Sequence, residues 1–144
     1  YGITSFVYRA RAPFHPGRVH AVLNGDLPGV IRAKGHFWLA TRPNWVAEFS
    51  LAGAVSSVVP LGGWWASVPK ECWPTHPDAL SEVASKWQDP WGDRRQEIVF
   101  IGHGMDEAAL RARLDAALVP AKAFTPEAWT GLSDPFPGWQ RSAE

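Results

Sequence analysis

Cys72 and the five histidines are the residues of this chain with the most evident capacity for metal or nucleophilic chemistry. Cys72 and His76 are separated by three residues in a proline-containing loop, and His103 follows a predicted strand. Zinc requires three or four nitrogen or sulfur ligands that converge tetrahedrally. His15 and His20 lie five residues apart on a predicted helix and therefore do not share a face. We expect no metal site here; a small metal-binding protein that uses Cys72 and the histidines remains an alternative.

The sequence also contains no recognisable set of catalytic residues. A cysteine nucleophile needs a neighbouring base, and nothing in the pattern brings His76 or His103 within reach of Cys72. No G-x-x-x-x-G-K-[ST] loop is present to bind a phosphate. We therefore expect no catalytic residues and no cofactor in this chain. A single cysteine excludes an internal disulfide and fits a reducing compartment.

The most distinctive pattern is a basic stripe within residues 29–41, where Arg32, Lys34, His36 and Trp38 alternate with apolar or small residues. The alternate positions are Ile31, Ala33, Gly35, Phe37 and Leu39. Successive side chains of a strand point to opposite faces, so one face is predicted to be buried and the other exposed. We predict that the four stripe residues dock a partner, with Trp38 as the anchor, because Trp and Arg are common at interface hot spots.

Two other interpretations of the stripe remain open. Glu48 or Glu97 could pair with Arg32 and Lys34 across a solvated sheet face, which would make the charges a minor structural feature. A nucleic-acid role is less well supported, because 14 basic residues are balanced by 14 acidic ones. The same balance argues against an anionic membrane surface, and no apolar run is long enough for a membrane span.

The elements that must position the stripe follow from hydrophobic periodicity. We predict strands over residues 3–9, 29–41, 45–51 and 95–102, with helices beginning near Pro16, Pro77 and Asp106. Residues 58–59 and 64–66 fit two short strands of a further hairpin. Gly35 in the middle of a strand indicates a bulge or the close approach of a helix.

The predicted order β-α-β-β-(β)-α-β-α contains no alternating run that demands a parallel sheet. It favours an α+β fold: an antiparallel or mixed sheet of roughly four to six strands, with helices on one face and the other face open. With 144 residues, the chain is expected to form one domain over residues 1–144. Residues 119–144 are predicted to be an irregular tail packed on the body.

Four segments resemble one known family. The R-A-K-G-H-F-W of residues 32–38 resembles the R-x-K-G-x-x-W signature of the CobW C-terminal domain family, and W-G-D-R-R-Q-E-I-V-F-I-G at residues 91–102 resembles its second signature. The segments at residues 5–16 and 134–139 resemble the subgroup associated with zinc homeostasis. The resemblance extends over essentially the whole chain.

This resemblance implies a role in metal delivery. Proteins of the family are cytoplasmic GTPases regarded as metallochaperones for zinc, for cobalt in cobalamin biosynthesis, or for the iron of nitrile hydratase. Their C-terminal domain is proposed to dock client proteins and to respond to the nucleotide state of the N-terminal GTPase domain. The expected partners are therefore that GTPase domain or a metalloprotein client. A stand-alone interaction module without a GTPase partner remains an alternative.

The sequence departs from the full family pattern in one respect. It lacks both the phosphate-binding loop and the C-x-C-C metal motif of the N-terminal GTPase domain. The expected function is therefore that of a non-catalytic docking and regulatory domain.

Overall fold

The structure is a computed structural model that describes residues 2–140. Proline begins three of the four α-helices in this range, at a position where its missing N–H costs no hydrogen bond. The strands are β1 (Ile3–Ala10), β2 (Val30–Phe37), β3 (Val46–Ala52), β4 (Val55–Gly62) and β5 (Gln96–His103). The helices are α1 (Pro16–Leu23), α2 (Pro77–Ser85), α3 (Glu107–Ala117) and α4 (Pro126–Trp129).

The five strands form one sheet in the order β1-β5-β2-β3-β4, and every neighbouring pair is antiparallel. The predicted α+β fold is confirmed, as is the hairpin of β2 and β3. Glycine is required at Gly35, because a methyl group there would overlap the backbone of Glu97 and Ile98. The close approach that the sequence indicated is thus made by strand β5 and not by a helix.

One face of the sheet forms the core with α1 and α3. Alternate residues of the strands point to these helices, and Phe6 stacks on Phe100 with ring centroids 5.1 Å apart. The fully buried side chains of this layer include Tyr8, Phe14, Val19, Phe37, Leu39, Phe49, Ile98, Phe100 and Leu114. Ile31 was predicted to belong to this face but is 49% exposed. The β2–β5 register shifts between Val30 and Arg32, so Ile31 lies in a bulge.

A second cluster, rich in tryptophan, lies beyond the end of β2. It consists of Trp38, Ala40, Trp64, Trp91 and Trp129. The side chain of Gln96 joins it to the sheet, because its Oε1 accepts from Trp38 N at 2.8 Å and its Nε2 donates to Ala12 O at 2.7 Å. Gln96 is fully buried and makes both bonds, which fixes how the chain leaves β2.

The predicted strand at residues 64–66 is wrong. Residues Trp65–Ser67 form a 3-10 turn, and β4 instead pairs with β3. The buried carboxylate of Asp93 accepts hydrogen bonds from the backbone N–H groups of Trp65 and Ala66, both at 2.9 Å. These bonds replace the ladder partners that a strand would need.

The C-terminal segment lies against the body of the domain through Trp129 and Phe136, which are both buried. Asp134 fixes it: its carboxylate accepts from Arg42 Nε at 2.9 Å, Arg42 Nη2 at 3.0 Å and Thr41 Oγ1 at 2.6 Å. The part of the predicted tail at residues 141–144 lies outside the described residues.

Candidate docking surface

The sheet face opposite α1 and α3, here called the open face, carries several exposed aliphatic side chains. Val99 and Ile101 of β5 point outwards and alternate with the buried Ile98, Phe100 and Gly102. Val55, at 75% exposed, stands at the far edge. The exposed aliphatic residues of this face include Ile3, Val55, Val59, Val99 and Ile101. Exposed apolar patches of this kind mark interaction sites in soluble proteins.

Arg32 and Lys34 lie at the centre of the open face, on β2, and both are exposed. Each faces an aliphatic residue of β5 and a small residue of β3: Val99 and Ser50 for Lys34, Ile101 and Ala52 for Arg32. Within residues 2–140 neither side chain forms an ion pair. Two cations without an ion-pair partner in this part of the chain therefore each lie beside an exposed aliphatic side chain of β5.

The interpretation in which Glu97 neutralises the stripe is wrong. Its carboxylate accepts from Arg95 Nε at 3.0 Å and lies 3.6 Å from Arg9 Nε. The hydrogen bond from Arg95 is the largest cause that lowers the pKa of Glu97, with smaller effects of Lys86 and Arg9. The acid is thus committed to cations at the margin of the sheet and not to Arg32 or Lys34.

His36 lies at one end of the open face and has a different environment from the two cations. Its cross-strand neighbours are Glu97 on β5 and Glu48 on β3. It lines a cleft of about 320 Å³, which Trp65 and Val83 of the α2 region also line. The structure therefore separates His36, in a cleft, from Arg32 and Lys34, on the exposed centre.

Trp38 does not belong to the exposed stripe, and its predicted exposure is wrong. Strand β2 ends at Phe37, and Trp38 is fully buried in the tryptophan cluster. Its indole Nε1 donates to Arg11 O at 3.0 Å, and the Arg94 guanidinium carbon lies 5.8 Å from its ring centroid. A side chain without accessible surface cannot anchor a partner.

The aliphatic residues of the open face were missed as site residues by sequence reasoning. A signal existed, because the strand over residues 95–102 is apolar on both faces near its C-terminal end. In an antiparallel sheet covered on one side only, such a strand must expose half of its apolar residues. Val99 and Ile101 are those residues.

The structure gives no support to a metal centre. Within residues 2–140 no group of three or more His, Cys, Asp or Glu side chains is placed to hold an ion. Cys72 is exposed, and His76 Nδ1 accepts from Asp78 N at 3.1 Å as the N-cap of α2. None of the helices in this part of the chain has the length and apolar character to cross a membrane.

Comparisons with curated proteins give a consistent result. The chain is 36% identical over 123 residues to "Zinc-regulated GTPase metalloprotein activator 1" of Dictyostelium discoideum. The alignment covers 83% of this chain and 26% of that protein. It is 33% identical over 144 residues to a zinc chaperone of Mycobacterium tuberculosis, with 92% of this chain and 34% of that protein covered. The chain thus spans about a quarter to a third of the length of these relatives.

Solved structures share the fold. The crystal structure of the Zn(II)-bound YjiA GTPase from E. coli matches with a TM-score of 0.57 and 20% identity, over 82% of this chain and 30% of that one. A triple mutant of YjiA GTPase, also Zn(II)-bound, matches with a TM-score of 0.58 and 19% identity. The family described as the cobalamin synthesis protein cobW C-terminal domain matches residues 3–118. On this evidence the chain belongs to the CobW C-terminal domain family.

Proposed function

We propose that this chain is a non-catalytic docking and regulatory domain of a cytoplasmic GTP-dependent metallochaperone that delivers zinc or cobalt. In this proposal the open face binds the GTPase portion of the same protein or a metalloprotein client. The names of the relatives, a zinc-regulated GTPase metalloprotein activator and a zinc chaperone, support the metal-delivery role. The absence of a phosphate-binding loop from the sequence supports a role other than GTP hydrolysis.

The observation that carries the docking role concerns Arg32 and Lys34, which have no ion-pair partner within residues 2–140 and lie beside the exposed Ile101 and Val99. A solvated structural surface would be expected to neutralise these charges across the strands. An interface instead combines an apolar centre with charges that select the partner and orient it. The partner surface should therefore be apolar, with acidic side chains placed opposite Arg32 and Lys34.

The test is a binding measurement between this domain and the separately expressed GTPase portion of the gene product. Isothermal titration calorimetry with the Arg32→Glu/Lys34→Glu double variant should give an affinity at least about tenfold weaker, because attraction at two positions becomes repulsion. Lys122→Glu is the matched control, since Lys122 is exposed and lies outside the open face. Circular dichroism establishes that each variant is folded.

Two outcomes would count against the proposal. Unchanged affinity of the double variant would remove the open face as the docking surface. A native reading frame without any GTPase portion would favour a stand-alone interaction module. A metalloprotein client replaces the GTPase portion as titrant in the second arm, which separates the two kinds of partner.

A further inference from the structure

A second cleft, of about 410 Å³, lies where the end of β1, the start of β5 and the C-terminal end of α2 meet. Arg9, Ala10, Arg11, Ser85, Lys86, Gln88, Arg95, Gln96 and Glu97 line it. Neither Arg32 nor Lys34 is among them. We call it the β1–α2 cleft. Its volume falls within the range of small-molecule sites, about 300–1,000 Å³.

The charge of the β1–α2 cleft is strongly one-sided. Arg9, Arg11, Lys86 and Arg95 line it, and Glu97 is the single acidic residue among the lining side chains. The chain as a whole has 14 basic and 14 acidic residues, so this concentration of positive charge is local. A concave surface lined by one sign of charge focuses the field and raises the local concentration of counter-ions.

Two of the cations are held in place by the fold. Arg11 Nη1 donates to the carbonyl oxygens of Lys86 at 2.8 Å, Gly92 at 3.1 Å and Arg94 at 3.4 Å. Within residues 2–140 its Nε and Nη2 donors have no protein acceptor. Arg95 Nε donates to Glu97, and Arg95 Nη1 donates to Asp93 O at 3.0 Å. Guanidinium groups fixed in this way lose little conformational entropy when a ligand binds.

The fixed cations also repel each other. Burial is the largest cause that lowers the pKa of Arg11, and the nearby charge of Arg95 is the second. Asp93 and, less strongly, Glu97 act on the pKa of Arg11 in the opposite direction. Asp93 already accepts two backbone hydrogen bonds, and Glu97 is shared by Arg9 and Arg95. An additional anion in the cleft would be attracted by both cations and would use the free donors of Arg11.

We propose that the β1–α2 cleft binds a small oxyanion that carries two or more negative charges. Phosphate esters and polycarboxylates share this chemistry, since both present several acceptor oxygens to guanidinium and ammonium groups. The cleft is lined mainly by charged and amide side chains, so the ligand is held by charge and hydrogen bonds and not by apolar contact. This site goes beyond the docking role of the open face.

Calorimetric titration of the domain with sodium pyrophosphate and with citrate tests the site. Arg9→Gln and Lys86→Gln should each weaken binding about two- to fivefold, because each removes one partly exposed charge. Lys122→Gln, outside the cleft, should leave it unchanged. Preference for pyrophosphate identifies phosphate esters as the ligand class, and preference for citrate identifies polycarboxylates.

Glu97→Gln gives the most discriminating result. Removal of the single acid should strengthen binding about two- to fivefold, since Arg9 and Arg95 lose a competing carboxylate. If Glu97 and its cations had only a structural role, this variant would not increase the affinity for an anion. The proposal is overturned if neither probe binds saturably up to about 10 mM, or if the Arg9 and Lys86 variants bind as the unchanged domain does. Either result leaves the docking proposal untouched, because Arg32 and Lys34 lie outside the cleft.

Discussion

Arg42 and Arg32 are ten residues apart in the sequence and have opposite environments. Arg42 donates to both carboxylate oxygens of Asp134 and to the carbonyls of Phe136 and Pro137, and its guanidinium carbon lies 4.3 Å from the Trp139 ring centroid. Arg32 is exposed and has no ion-pair partner within residues 2–140. Arg42 fixes the C-terminal segment to the domain, whereas Arg32 is available to a binding partner.

The environment of each arginine predicts which property of the domain depends on it. The side chains of Arg42 and Asp134 are only 15% and 17% exposed. The free-energy cost of desolvating them is therefore already part of folding, as is the gain from their hydrogen bonds. Arg32 is exposed to solvent, so its charge would be desolvated only when a partner binds. Removing Arg42 should therefore change stability, and removing Arg32 should change binding.

The largest expected effect is that of Arg42→Ala. The substitution removes the cation from a mostly buried carboxylate and detaches the C-terminal segment, so we expect a loss of about 2–4 kcal/mol in the free energy of unfolding. Urea unfolding followed by tryptophan fluorescence measures it. Arg18→Ala is the control, because Arg18 is exposed and its loss should cost no more than about 0.5 kcal/mol. A loss in Arg42→Ala as small as that in the control would show that Arg42 does not stabilise the fold.

A smaller effect should appear in acid. Burial tends to raise the pKa of Asp134, but hydrogen bonds from Arg42, Thr41 and the Phe136 N–H outweigh it and lower that pKa below the ordinary 3.8. The unfolded chain therefore takes up the proton first as the pH falls. The stability that the carboxylate contributes is fully present above about pH 4 and is lost as the pH falls through the folded-state pKa. In that range Arg42 loses its charged partner and comes to resemble Arg32.

The measurement is urea unfolding from pH 7 to pH 2 for the unchanged domain and for Asp134→Asn. The unchanged domain should be more stable at pH 7, and the difference between the two should shrink below pH 4 because the aspartate becomes neutral. Glu97, whose pKa is also lowered, contributes to both proteins and cancels in the difference. A difference that stays constant across the pH range would show that the charge of Asp134 does not stabilise the clamp.

The sequence predicted the open face better than it predicted the clamp and the tryptophan cluster, and the reason is physical. Strand periodicity is local, so it correctly placed Arg32 and Lys34 opposite the buried Ala33 and Phe37. The position of Trp38 depends on Gln96, which lies 58 residues further along the chain. No local pattern reports such a contact.

The same limit applied to two other features. The turn at Trp65 depends on the carboxylate of Asp93, 28 residues away, and the clamp of Arg42 depends on Asp134, 92 residues away. Both acids are ordinary loop residues when read in the sequence. Trp38 and residues 64–66, two places where the local pattern gave a wrong prediction, both have backbone N–H groups that donate to a distant side chain.

The smallest expected effect on stability is that of the Arg32→Glu/Lys34→Glu double variant. Neither side chain has an ion pair with any residue of the described range 2–140, and exposed substitutions of this kind usually change stability by no more than about 0.5 kcal/mol each. The new carboxylate at position 34 would lie diagonally from Glu48 and Glu97, so any change should be a slight destabilisation that weakens with added salt. Urea unfolding at low and high salt measures both quantities. A loss as large as that of Arg42→Ala would mean that the centre of the open face supports the fold, and weaker partner binding by the double variant would then report unfolding instead of docking.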